Sequence, residues 1–222
     1  MKKILFSALA AIGLLSVAST ANAQKLSLDE LPPYKLGITA GMNASSFSHA
    51  GFDGKFGFHA GVNALFDASG LLENTFVRTE LLFQRKGATV GDHTKFRTCY
   101  LELPVHYGYA YGINNDWTIF GETGPYFAIG LGGRVRWDYE DVIPDPMDGD
   151  KYIIVKEKGS EKFFSNGDDD PSNFDTGWGL HVGAIFQQNH QISIGWDWGF
   201  INMNDGLLQN RNFMVSYTYY IM

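Results

Sequence analysis

The sequence predicts an all-β protein, an eight-stranded antiparallel up-and-down transmembrane β-barrel. Three observations predict it. Segments of about ten residues alternate apolar and polar side chains, the length a tilted strand needs to cross a bilayer. Beyond the N-terminal segment no run of about twenty apolar residues occurs, so no helix spans, and only a closed barrel can pair every backbone group inside lipid. The connections between the alternating segments are short and long in strict turn, which matches periplasmic turns facing longer extracellular loops.

Lys2 and Lys3, the apolar run Ile4–Val17 and the small residues Ala21-Asn22-Ala23 read as a secretory signal peptide over residues 1–23. No cysteine follows the apolar run, so a lipoprotein is not expected. Residues 24–33 form a polar lead-in stiffened by Pro32-Pro33, and residues 34–222 form the barrel domain.

The first strand, Tyr34–Asn43, sets Leu36, Ile38, Ala40 and Met42 against Lys35 and Thr39. Phe56–Phe66 sets Phe56, Phe58 and Val62 against His59 and Asn63. Phe76–Lys86 sets Val77, Leu81 and Phe83 against Arg78, Glu80 and Lys86. Strands four and five lie in Tyr100–Gly130, where Leu101, Leu103, Val105 and Tyr107 share one face and Glu102 and His106 the other, with Glu122 following. Thr176–Phe186 opposes Trp178, Leu180 and Val182 to His181. Ile192–Phe200 opposes Trp196 and Trp198 to Asp197, and Asn212–Ile221 closes the set with Phe213, Val215 and Tyr217. Acidic residues on the enclosed face suit a barrel with lipid against its apolar face. A lipocalin-like soluble barrel would carry Lys and Glu on the outward rows, and these rows do not.

Asp67–Thr75, Ala110–Asp116 and Gln187–Gln191 are the short connections; Ala44–Lys55, Gly87–Phe96, Gly132–Asp175 and Ile201–Arg211 are the longer ones. Gly132–Asp175 is the extracellular loop expected to carry function, and its patch Tyr152-Ile153-Ile154-Val155 would form a hairpin extending the strands beyond the membrane.

The pieces LGITAGMN, GFHAGVNALFD, TELLFQRKGA, YLELPVHYGY and ETGPYFAIG together resemble the PorT-like family of outer-membrane β-barrels found in Bacteroidetes, over nearly the whole mature chain. The resemblance implies an eight-stranded barrel in the outer membrane and little about activity. The namesake's tie to protein secretion is not carried over. The chain departs from the pattern in ending Tyr219-Tyr220-Ile221-Met222, where such barrels often finish on an aromatic residue read by the barrel assembly machinery, and in the length of Gly132–Asp175.

On the alternation, the lumen holds Lys35, His59, Arg78, Glu80, Lys86, Glu102, His106, Glu122, His181 and Asp197. An eight-stranded barrel is just wide enough for side chains to fill, so these are expected to form a structural polar network, with Arg78 and Lys35 set against Glu80, Glu102 and Glu122. The rival is a lumen site with a Glu and His106 as acid and base, or His59, His106 and His181 as metal ligands. Glu102 and His106 sit four residues apart on one strand, about 13 Å, too far to bond directly. No zinc-protease spacing or nucleophilic serine context occurs, so no catalytic residue, metal or cofactor is expected. Asp148–Asp150 and Asp168–Asp170 lack EF-hand spacing and read as solvated acid rather than a Ca²⁺ site. The single Cys99 reads as an inert thiol, and no basic patch argues for nucleic acid.

The expected role is structural, adhesive or docking, in contact with outer-membrane lipid and with a protein partner at Gly132–Asp175. The alternatives are a component of a secretion or assembly system and an outer-leaflet lipid-modifying enzyme.

Overall fold

Alternation becomes strand pairing in nine places. The computed structural model describes residues 34–48, 52–91, 93–145, 148–164, 172–201 and 209–221. The expected signal peptide, the lead-in, Asp168–Asp170 and Met222 lie outside the described residues. The strands are β1 (Tyr34–Phe47), β2 (Phe52–Asp67), β3 (Thr75–Val90), β4 (Thr94–Gly112), β5 (Trp117–Asp145), β6 (Asp148–Lys162), β7 (Phe174–Phe186), β8 (His190–Gly199) and β9 (Asn210–Tyr220). No helix among them is long and apolar enough to cross a membrane.

All pairings are antiparallel. They run β4–β3–β2–β1–β9–β8–β7–β5 and return from β5 to β4, giving the closed topology typical of membrane β-barrels. Chain ends meet in it, since β1 pairs β9 from Gly37↔Tyr220 to Phe47↔Asn210. Among the described residues the remaining strand, β6, pairs with β5 alone. It takes the place beside β5 that β7 leaves, with β7 pairing as far as Ile129↔Phe174 and β6 beginning at Arg134↔Lys162.

Two sequence expectations change. The count of strands rises from eight to nine because the hairpin expected at Tyr152–Val155 is longer than that patch: residues 132–145 continue β5 and 148–162 fold back on it as β6. The segments Ala44–Lys55 and Gly87–Phe96 are also mostly strand, so β1 to β4 run to 14, 16, 16 and 19 residues. Apolar alternation stops before the pairing does. Polar interior contacts carry the ladder further: Ser45 Oγ donates to the Gly87 carbonyl at 3.0 Å and accepts from the Gly87 amide at 2.8 Å.

The outer face is apolar. Ile38, Val62, Leu81, Leu101, Ile119, Leu180, Ile192 and Val215 are all exposed, as are Phe56, Tyr107, Trp117, Trp178, Trp196, Trp198 and Tyr217, while Phe127 and Phe213 are half-buried. The inner face is filled. Phe76, Ala110 and Phe120 close the end beside the short turns, with Phe76 and Phe120 edge-to-face at 6.0 Å. Phe47, Tyr100, Tyr126 and Phe163 close the other end, and Phe163 stacks on Phe47 at 6.3 Å. Between these two apolar caps the interior is polar.

Large side chains fit the lumen because glycines face them. A Cβ on Gly179 would sit 2.7 Å from His106 Nε2 and 2.8 Å from Asp197 Oδ1, closer than side chains can approach. Gly179→Val should therefore cost about 1–3 kcal/mol through overpacking, read as a lower urea midpoint for loss of the fast-migrating folded band on gels. An unchanged midpoint would contradict a close-packed lumen.

Candidate functional site

Strand register decides which lumen side chains meet. Lys86 on β3 stands opposite Thr98 of β4, and its Nζ reaches along the lumen to donate to Glu102 Oε2 at 2.6 Å. Gln84, two residues back on the same inward row, donates to the other oxygen of Glu102 at 2.6 Å. Asn212 of β9 donates to Gln84 Oε1 at 3.1 Å and accepts from Asn43 of β1 at 3.1 Å. Asn212 also reaches Asp197 Oδ2 at 3.4 Å, and Asp197 Oδ1 lies 3.1 Å from His181 Nε2.

A second half of the network centres on Arg78. Its Nη1 donates to Glu122 Oε1 at 2.9 Å and its Nη2 to Gln191 Oε1 at 2.8 Å, an oxygen that also accepts from the Tyr220 hydroxyl at 2.7 Å. His106 Nδ1 and His181 Nδ1 stand 3.5 and 3.7 Å from the same Glu122 oxygen, so His181 joins the halves. The two cations also lie over ring faces, Arg78 at 4.6 Å from the Phe120 centroid and Lys86 at 5.2 Å from that of Tyr126. Near the loop end, Asp175 Oδ2 accepts from Tyr126 at 3.1 Å and from Asn210 at 2.8 Å.

The residues singled out in the sequence are thus placed as follows. Arg78, Lys86, Glu102, His106, Glu122, His181 and Asp197 are buried and belong to this network. Glu80 is half-buried and accepts from Asn63 and Thr39. Lys35 is buried at the short-turn end, and its Nζ donates to the Gln188 carbonyl at 3.0 Å rather than to a carboxylate. His59 stands apart, 2.8 Å from Ser216 Oγ. Gln84, Asp175, Gln191, Asn210, Asn212 and Tyr220 were not singled out. The inward rows of the strands point to most of them, but only the register shows whom they meet.

The residues best placed to hold a metal are His106, Glu122 and His181, whose ligand atoms lie within 4.8 Å of one another. That set differs from the three histidines considered from sequence, with Glu122 standing where His59 does not reach. Two of its atoms are engaged in ion pairs, Arg78 holding Glu122 Oε1 and Asp197 holding His181 Nε2, while His106 Nε2 and Glu122 Oε2 are buried without a hydrogen-bond partner among the described residues. A cation there would also face the Arg78 guanidinium. His59 and Ser216 form a dyad without an acid to orient the ring, since His59 Nδ1 has no hydrogen-bond partner among the described residues.

The model of one family, described as outer membrane protein beta-barrel domain, matches residues 7–220. No curated protein matches the chain. Among solved structures the chain is similar to the attachment invasion locus protein Ail of Yersinia pestis, at 13% identity over 86% of this chain and 100% of that chain, TM-score 0.42. It is similar also to Neisserial surface protein A, at 11% identity over 83% and 96% of the two chains, TM-score 0.45. A third is OprG of Pseudomonas aeruginosa, at 8% identity over 85% and 94%, TM-score 0.37.

These similarities correct the PorT-like, Bacteroidetes resemblance, since the solved structures that resemble the chain are Ail, Neisserial surface protein A and OprG. The motifs that carried it serve packing demands of the barrel. Glu102 of YLELP holds Lys86, and Gly124 of GPY lies where a Cβ would strike the Val105 carbonyl.

Lys86→Met or Glu102→Gln alone should destabilise the barrel by about 3–5 kcal/mol, because each leaves its partner charge buried and unpaired. The double variant should recover a large part of that loss in urea titrations of the gel shift. Strict additivity would rule out coupling between the two.

Proposed function

The chain belongs to the outer membrane protein beta-barrel domain family, and on that footing we propose a small non-porin barrel that docks a partner through the β5–β6 hairpin. It is an outer-membrane protein in contact with outer-membrane lipid. In this reading β1–β5 and β7–β9 are eight staves spanning the membrane, residues 1–23 are a cleaved signal peptide, and residues 24–33 lead into the first stave. The short turns 68–74, 113–116 and 187–189 face the periplasm and the hairpin faces outward.

The height of the apolar surface supports the membrane placement. On β4 the outward row runs from Leu101 to Tyr111, about 33 Å along the strand. At a tilt of about 45° that gives roughly 25 Å of height, the apolar band of outer-membrane barrels. The filled lumen argues against conduction.

One observation carries the docking role, the hairpin itself. β5 pairs with β4 as far as Trp137↔Thr94, the Asp138 amide still donates to the His93 carbonyl at 3.1 Å, and the strand paired with Asp138 to Asp145 is β6. That stretch projects about 25 Å beyond the ring. It exposes Tyr152 and Ile154, at 70% and 63%, with Val155 and Tyr139 also uncovered. Two exposed ion pairs stiffen its stem, Lys158–Asp138 at 2.7 Å and Lys156–Glu140. The Glu140 hydrogen bond raises the Lys156 ammonium above the usual lysine range. Exposed apolar side chains on a paired, rigid platform are the makings of a binding surface.

Protease treatment of intact cells should cut only within residues 138–158, and the remaining barrel should keep its heat-dependent gel mobility. Replacing residues 139–157 by a short turn should leave that mobility unchanged while abolishing retention of envelope partners. Cleavage at the short turns, or an unshifted soluble protein, would overturn the reading.

A further inference from the structure

Outside the lumen, the loop-side end of the barrel carries a group of cations that neither the network nor the hairpin uses. Arg97, Arg134 and Lys162 lie directly opposite one another across β4, β5 and β6, and Lys95 lies opposite Arg136 in the next row. Arg85 on β3 pairs in register with Cys99, two residues from Arg97. Arg85, Arg97, Arg134 and Arg136 are exposed and line one shallow depression of about 360 Å³, floored by Gly132 and Gly133 and bounded below by Phe58 and Phe83. Half-buried Lys55 lines the adjoining depression with Arg85 and Arg97. The charges of Arg85, Lys95, Arg97 and Arg136 all act on its ammonium.

A β-bulge creates this placement. The β4–β5 register shifts between Cys99↔Gly132 and Tyr100↔Gly130, leaving Leu131 unpaired and reversing which residues of β5 face out. Below the bulge the odd residues face lipid, as Ile129 does. Above it Arg134 and Arg136 point outward, while Gly133 turns inward against Phe163.

Like charges set directly opposite one another across strands are destabilising. Among the described residues no carboxylate pairs with Arg85, Arg97, Arg134 or Arg136, and the next outward acid, Asp138, is held by Lys158. The cluster also sits at a defined height. Arg85 follows Phe83 on the outward row of β3, about 7 Å further along the strand, so the charges begin where the apolar band ends. Neighbouring guanidinium forks match the oxygens of phosphate.

We propose that this cluster is a headgroup site for the phosphates of an outer-leaflet glycolipid of the lipid A type. The acyl chains lie along the apolar rows under Phe58 and Phe83, and the phosphates fill the depression and neutralise the opposed arginines. The site rests on the outward orientation of the hairpin end proposed above.

The test uses the full mature barrel in maltoside micelles, titrated calorimetrically with bisphosphorylated lipid A, with the same lipid stripped of phosphate, and with inorganic pyrophosphate. The phosphorylated lipid should bind at least ~10-fold more tightly than the stripped one, with the difference shrinking as salt rises. Arg97→Gln/Arg134→Gln should remove that preference. Arg211→Gln, at an exposed arginine on β9 outside the cluster, should not. The heat-dependent gel shift of each variant reports that the barrel is folded. Equal binding of the two lipids, an unaffected double variant, or pyrophosphate binding as tight as the lipid would each overturn the proposal. Because the titration is done on isolated protein, its failure leaves the orientation, tested on intact cells, standing.

Discussion

A backbone amide inside hydrocarbon has no water to bond, so each strand there needs a neighbour on both sides. The pairing circuit from β4 round to β5 and back meets that demand, and much else follows from it. Closure requires the first and last strands to find each other, which the β1–β9 ladder does over eleven residue pairs from Gly37↔Tyr220 to Phe47↔Asn210. It also fixes an inside of limited width, where each inward side chain must fit against those across the ring.

The inside is therefore solved as a packing problem with charges in it. Apolar caps at each end leave a polar middle, and the charges there are tolerated because they meet one another. Lys86 and Arg78 each combine an ion pair with an aromatic face, so a cation in the lumen has partners on more than one side. The histidine rings fit because Gly179 and its fellow inward glycines give up their side chains. Polarity, volume and glycine placement are one arrangement seen three ways.

The period-two rows made the strands legible, because inside and outside differ so sharply in chemistry here. They placed Arg78, Glu102 and His181 on inward rows, yet gave no pairing: which carboxylate Arg78 meets depends on register across β4 and β5, and Lys35 ends at a turn carbonyl. Strand ends were the least readable part. Above the apolar band nothing alternates, so Ser45 and Gly87 looked like loop although they pair. The aromatic plug was invisible for a related reason. Phe163 and Phe164 follow β6, outside any alternating row, and reach the mouth only because the hairpin returns them there. The motifs behind the family resemblance serve local packing, Glu102 holding Lys86 and Gly124 making room for the Val105 carbonyl, so they speak of a barrel before they speak of a family.

β5 runs unbroken for 29 residues, from the 113–116 turn to the hairpin tip. That continuity has a mechanical meaning. Tension on the tip along the strand loads the β4–β5 and β5–β7 ladders lengthwise, so many hydrogen bonds share the force instead of parting one by one. The hairpin is therefore a strut rather than a tether. A partner that pulls on Tyr152 and Ile154 pulls on the barrel wall itself, and the arginine row at its base lies at the fulcrum where that load enters the membrane.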